Sequence, residues 1–276
     1  MNGELHNSEI LPADQPKTQI SRWVTEPVAG STVHGVENEL LVLQKMLQKP
    51  PSGGGKGFRA IGIIGVRGIG KSTICRALLQ DREVKSKYFP RIWVSMSRNF
   101  TEDRDPKIAL LKRMLSSLGV DTNFPGGETL GGLLYAVRLQ LRGKRYLIVL
   151  DDVQEFKTGE EQSDWYWDLN SCEKIGEKLR DGFPKGNGGA VIVTSRSEKA
   201  AKAMVGEGNL RCLVPHKDPE SFWKIFWQEV GENGNSISDP PNLEVLKVEL
   251  LKKCGGLPFI AKMMGKIQFQ NELQRS

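Results

Sequence analysis

The stretch that most constrains this chain is Ala60–Thr73, A-I-G-I-I-G-V-R-G-I-G-K-S-T. An apolar run, Ile61 to Ile64, leads into Gly65, four intervening residues, and then Gly70-Lys71-Ser72. This is G-x-x-x-x-G-K-[ST], the pattern of a phosphate-binding loop set between a strand and a helix. Each residue type has a physical task. Gly65, Gly68 and Gly70 lack a Cβ, so the backbone can turn tightly and close up on an anion. Successive N–H groups then form a concavity of positive partial charge, which the amino end of the following helix reinforces. Lys71 is placed to reach the β- and γ-phosphates, and the Ser72 hydroxyl to ligate Mg²⁺. The stretch predicts a nucleoside di- or triphosphate site on Gly65, Val66, Gly68, Ile69, Gly70, Lys71, Ser72 and Thr73.

The rest of the chain supplies a sheet for that unit. Arg91–Ser97 is rich in strand-forming residues, and Tyr146–Leu150 and Ala190–Thr194 are continuous apolar runs of the kind buried on both faces. Leu210–Val214 reads as a shorter fifth strand. Helical spacing recurs at Val36, Leu40, Leu43 and Leu47, again over residues 105–118 and 128–142, and in Phe222–Val230, Leu243–Cys254 and a segment after Pro258. Strands separated by helices predict an α/β fold with a mainly parallel sheet covered on both faces. Residues 1–30 are polar, carry three prolines and show no periodicity, so they read as a mobile tail; Ser52–Gly57 reads as a connector.

Composition removes several function classes. Net charge is +6, but no run of five basic residues and no basic–aromatic interleaving occurs, which argues against a nucleic-acid partner. Cys75, Cys172, Cys212 and Cys254 are dispersed and form no C-x-x-C pair, and His6, His34 and His216 do not cluster with them. That pattern fits neither a disulfide framework nor a metal cluster, and suits a reducing intracellular compartment. No secretory signal, myristoylation pattern or apolar run of membrane-spanning length is visible.

Two further strand ends carry chemistry. Leu147-Ile148-Val149-Leu150 runs into Asp151-Asp152, and in parallel α/β sheets ligands lie beyond the carboxyl ends of strands. Asp151 is therefore the candidate to hold Mg²⁺ and Asp152 the candidate to orient or activate an attacking water; read alone, the pair is equally an exposed acidic turn. Val191-Ile192-Val193 ends in Thr194-Ser195-Arg196, which puts a planar cation at the same edge, where it can read a γ-phosphate. Between Asp152 and Cys172 lies a polar insertion bearing Trp165-Tyr166-Trp167. It reads as a local cover for the sheet edge or as a partner-binding patch.

In this order the motifs resemble the NB-ARC nucleotide-binding domain of plant intracellular immune receptors, a branch of the signal-transducing STAND ATPases. The resemblance rests on the phosphate loop, F-P-R-I-W-V-S-M-S (Phe89–Ser97), L-I-V-L-D-D-V, V-I-V-T-S-R, P-E-S-F-W-K-I-F (Pro219–Phe226) and C-G-G-L-P-F-I-A (Cys254–Ala261). It implies a P-loop NTPase three-layer sandwich over residues 31–214, followed by a partial helical, ARC1-like subdomain over 215–276. It also implies ADP or ATP with Mg²⁺ as ligands. Val33 and Gly35 match the segment whose backbone lies by the adenine, Pro258 the proline that packs on it, and Arg196 the γ-phosphate sensor. The winged-helix subdomain with its M-H-D motif and the leucine-rich repeats found in full receptors are not in this sequence, so weaker ADP retention is expected. Gln154 stands where a tryptophan is usual, and Arg67 where a glycine is common; the latter is tolerable if its φ stays negative.

Three functions follow from these readings. The first is a nucleotide-dependent switch core in defence signalling, cytoplasmic or nucleocytoplasmic, with at most slow ATP hydrolysis and protein partners that include a full-length receptor. The second is an adaptor or decoy that binds nucleotide only for stability. The third, a small-molecule kinase, lacks a recognisable lid or acceptor pocket.

Overall fold

A computed structural model of the chain describes residues 33–48, 58–96, 105–122, 129–154, 163–171, 176–230 and 242–273. The expected tail over residues 1–30, the connector Ser52–Gly57 and parts of the 152–172 insertion lie outside the described residues. Five strands, β1 (Arg59–Ile64), β2 (Arg91–Ser95), β3 (Leu147–Val153), β4 (Ala190–Ser195) and β5 (Leu210–Cys212), form one sheet in the order β2-β3-β4-β1-β5. Every pairing in it is parallel. The central strands carry the continuous apolar runs Leu147–Leu150 and Ala190–Val193 because helices cover both faces, as the sequence predicts.

One face packs Ala60, Ile92, Val94, Ile148, Leu150, Val191 and Val193 against α4 (Pro106–Ser117), α5 (Leu130–Leu141) and α6 (Glu198–Val205). The other packs Ile61, Ile63, Leu147, Val149, Ala190 and Ile192 against α1 (Glu37–Gln48), α2 (Lys71–Gln80) and the short α3 (Arg82–Lys87). Helix starts follow local chemistry: Asp105 caps α4 through the Lys107 amide, with Pro106 in the first turn, and the Thr129 hydroxyl caps α5 through Gly132. Helices α3 and α6 are each under nine residues, too short for a clear periodic signal, and the sequence reading did not mark them. Helices α7 (Pro219–Val230), α8 (Leu243–Cys254) and α9 (Pro258–Leu273) follow β5 and build a small core on Phe222, Leu250, Cys254 and Ala261.

The described part of the insertion, residues 163–171, serves the fold. Trp165 and Tyr166 are buried in the α4–α5 core and meet edge to face at 4.8 Å, while Trp167 is exposed. Nearby, the Asn170 amide accepts from the Ala60 N–H (2.9 Å) and donates to the carbonyls of Ala60 (3.2 Å) and Val205 (2.8 Å). Strand β5 begins its pairing only at Gly62, so this side chain completes the ladder on the side of β1 that β5 leaves open, the other side being paired with β4. Asn170→Ala leaves three backbone groups without that partner. It is expected to cost about 2–3 kcal/mol, read as a shifted denaturant midpoint at unchanged slope; a loss below about 0.5 kcal/mol would show that water replaces the amide.

A candidate nucleotide-binding site at the carboxyl edge of the sheet

The chain leaves β1 at Ile64, wraps through the loop and enters α2 at Lys71. Gly70 sits at φ 104° immediately before that helix, and Gly68 at φ 83°. A side chain at Gly68 would also collide with Phe259, its Cβ falling 2.9 Å from the Phe259 Cβ. Arg67 is exposed and is not among the described residues with positive φ, so it sits in the loop without backbone strain. The Ile69 side chain is buried under the loop, whereas Val66 and Thr73 are exposed. Lys71 donates to the Gly65 (2.7 Å) and Val66 (3.0 Å) carbonyls, which holds its ammonium over the loop. Burial, with a smaller push from Arg196, lowers the Lys71 pKa below its ordinary value, while Asp152 and Asp151 oppose the shift.

Strand β3 does not stop at Leu150 but runs on to Val153, with a register shift against β4 between Leu150 and Val153. Asp152 takes up the irregularity at φ 60°, a conformation that aspartate tolerates better than most residues. The result re-aims two adjacent acids. Asp151 accepts from Ser72 Oγ at 2.9 and 3.1 Å, and from Thr194 Oγ1 at 2.6 Å. The Asp152 amide donates to the same Thr194 oxygen at 2.9 Å, and the Asp152 carboxylate pairs with Arg196 at 3.4 and 3.5 Å. Ser195 Oγ donates to the Val153 carbonyl and accepts from the Ser197 amide, fixing the turn that presents Arg196. Lys71, Ser72, Asp151, Asp152 and Arg196 thus converge.

Thr194, fully buried between the two acids, was not singled out from the sequence, although it lies inside V-I-V-T-S-R. Its signal was its place one residue past the apolar run, at the level of the acids. Ser72, Asp151 and Thr194 offer hard oxygen donors and one carboxylate, a set suited to Mg²⁺ that shares its remaining positions with water and phosphate. Among the described residues no three His, Cys, Asp or Glu side chains gather to hold a metal by themselves.

Three other segments meet at this edge. The amide of Phe259, the second residue of α9, donates to the Gly68 carbonyl at 3.2 Å, which brings Pro258 and the start of that helix against the phosphate loop. A Cβ at Gly35, which has φ 74°, would fall 2.8 Å from Ser221 Oγ and 3.6 Å from His216. The His216 amide in turn donates to the Gly256 carbonyl at 3.0 Å. Val33 packs at the margin of the α1–α2 core, which also holds Ile69 of the phosphate loop, whereas Gly35 lies against Ser221 and His216. Neither Ser221 nor His216 was singled out for the site from the sequence, although Ser221 lies inside P-E-S-F-W-K-I-F.

The chain matches the NB-ARC domain family over residues 41–236. It belongs to the NB-ARC family. Two relatives from Arabidopsis thaliana extend the likeness: "Probable disease resistance protein At4g19060" is 38% identical, aligned over 86% of this chain and 72% of the relative, and "Probable disease resistance protein At5g45440" is 37% identical over 92% and 80%. Among solved structures, the Aeropyrum pernix ORC1 protein in complex with DNA superposes with a TM-score of 0.59 at 17% identity, covering 89% of this chain and 62% of that one. At that identity the likeness concerns the fold, a P-loop NTPase architecture. The NB-ARC sheet described above is accordingly an α/β P-loop sheet, as the motif order predicted.

Proposed function

We propose that this NB-ARC chain binds ADP and ATP with Mg²⁺ and acts as the nucleotide-dependent switch core of a plant defence pathway, with ATP hydrolysis slow at most. The relatives' names supply the defence context. The phosphates lie in the loop from Gly65 to Thr73 under Lys71, Mg²⁺ on Ser72 and Asp151, and the adenine between Val33–Gly35 and Pro258. Asp152 orients the attacking water, and Mg²⁺, when bound, neutralises charge developing on the phosphates. Among the described residues no helix is long and apolar enough to cross a membrane, and the proposed setting is cytoplasmic or nucleocytoplasmic, with signalling proteins as partners, a full-length receptor among them.

The observation that carries this reading is the Arg196–Asp152 pair beside Lys71. Its side chains are 46% and 36% exposed and its contacts are long, so the pair is worth about 0–1 kcal/mol. A γ-phosphate offers Arg196 a stronger acceptor at small cost, and its departure frees Asp152 for water. ADP lacks that group, so the two nucleotides stabilise different arrangements. Meanwhile the α9–Gly68 contact connects the loop to the helical segment. Arg196→Ala is therefore expected to weaken ATP on the order of tenfold and ADP less than twofold, by titration calorimetry. Equal changes for both nucleotides would overturn the switch and favour the non-switching adaptor.

A further inference from the structure

The amino ends of the strands form the sheet edge opposite the phosphate loop. Arg91, Leu147, Ala190 and Arg59 stand level there across β2, β3, β4 and β1. Leu147 and Ala190 belong to the core face that also holds Leu47 and Tyr88, so Arg59 and Arg91, level with them, flank Tyr88 on the same face. Tyr88 is buried, and its ring carries the Arg145 guanidinium 4.8 Å from its centre. Arg145 lies close over Gly188, where a Cβ would fall 3.2 Å from its Nε. Arg91 donates from Nη1 to the Tyr88 carbonyl at 2.8 Å and the Lys85 carbonyl at 3.4 Å, while its buried Nε has no hydrogen-bond partner. Arg59, half-buried, stands on the same face through its register with Ala190.

Among the described residues, none of these three arginines forms an ion pair with a carboxylate. Burial lowers the pKa values of Arg59 and Arg91; among the described residues no carboxylate opposes it, and for Arg59 only Tyr88 offsets it in part. Partly desolvated, uncompensated guanidiniums gain most from an anion that accepts two hydrogen bonds at once, and phosphate matches that planar fork. We propose that the amino edge of the sheet, at Arg59 and Arg145 around Tyr88 with Arg91 behind them, binds a phosphate monoester. The site is distinct from the nucleotide site: β1 separates the two by roughly 20 Å at ~3.3 Å per residue. The monoester comes either from a soluble polyphosphate or from a lipid headgroup.

The test measures inositol hexakisphosphate binding by calorimetry to the whole chain, to Arg59→Gln/Arg145→Gln, to Lys71→Ala, and to Lys252→Gln/Lys253→Gln. The last removes two exposed charges on α8 and controls for net charge. The expected result is a saturable site weakened tenfold or more in the arginine variant and within twofold of the native value in the two lysine variants. Flotation with phosphatidylcholine vesicles, with and without phosphatidylinositol phosphate, separates the sources: capture only by the phosphorylated vesicles assigns a headgroup, and binding of the free polyphosphate alone assigns a soluble ligand. Arg145→Ala, at an exposed position, repeats the test if the double variant does not fold. Equal binding in all variants, equal loss in the α8 control, or loss only with Lys71→Ala would overturn the proposal. The nucleotide site is read separately with ATP.

Discussion

Lys71→Ala is expected to lose nucleotide affinity by on the order of a hundredfold while keeping the fold. The ammonium is held over the loop by the Gly65 and Val66 carbonyls, at 2.7 and 3.0 Å, with Asp151 and Asp152 in its field. A charge-assisted contact of this kind is worth about 3 kcal/mol to a bound phosphate. The fold does not depend on it, since the two carbonyls lie on a loop whose Val66 is exposed and water can satisfy them. Because the folded-state pKa of Lys71 is lowered, its charge opposes folding below that value, and removing the charge costs the unliganded protein little. The readout is thermal or chemical unfolding with ATP and Mg²⁺. At a hundred times the native Kd, the native chain gains about 2.7 kcal/mol and the variant about 0.4 kcal/mol. Phosphate affinity of the native chain should also fall as pH rises through the lowered pKa. A variant that gains as much from ATP as the native chain would remove Lys71 from the site.

The second large effect is on stability. Tyr146 is fully buried immediately before β3, its hydroxyl donating to the Pro184 carbonyl at 3.0 Å and its ring 6.4 Å from that of Phe183. Gly189 lies so close that a Cβ there would fall 2.5 Å from the ring. Tyr146→Ala opens a cavity at the junction of β3, β4 and the turn before β4, and is expected to cost about 3–5 kcal/mol. Tyr146→Phe keeps the ring and leaves the Pro184 carbonyl unpaired, for about 1–2 kcal/mol. The two variants also separate by pH. Burial raises the Tyr146 pKa well above its ordinary 10.0, so the folded state favours the neutral phenol. The stability this confers is present below pH 10 and lost as pH rises beyond it. Denaturant midpoints measured across that range should fall more steeply for the native chain than for Tyr146→Phe. Parallel slopes would mean that the phenol is open to ionisation in the folded state.

How much was legible beforehand depended on how local each signal was. The phosphate loop, the apolar strands and the order of motifs are contiguous patterns, so the fold and the placing of Lys71, Ser72, Asp151 and Arg196 could be read directly. Ser72 and Asp151 carry types and positions that predict their meeting, and the structure joins them at 2.9 Å. Other members of the site are defined by contacts across the chain. Nothing local marks Thr194 as the bridge between two acids: that role exists only because β4 lies beside β3 with a register shift at its end. Ser221 and His216 are ordinary residues until Gly35 is folded against them.

The sequence by itself determined the class of this protein. Strand–loop–helix chemistry around Gly65–Ser72 is fixed by glycine conformational freedom, helix polarity and the reach of one lysine, all within a dozen residues. Only the tertiary structure decided that Trp165 and Tyr166 fill a core rather than form a docking patch, that Asn170 completes a strand, and that Asp152 holds Arg196. It alone revealed the three arginines gathered at Tyr88, which stand far apart in sequence and meet because parallel strands bring their amino ends to one edge. Those outcomes depend on which surfaces come together, and burial, hydrogen-bond satisfaction and charge pairing are settled at that step.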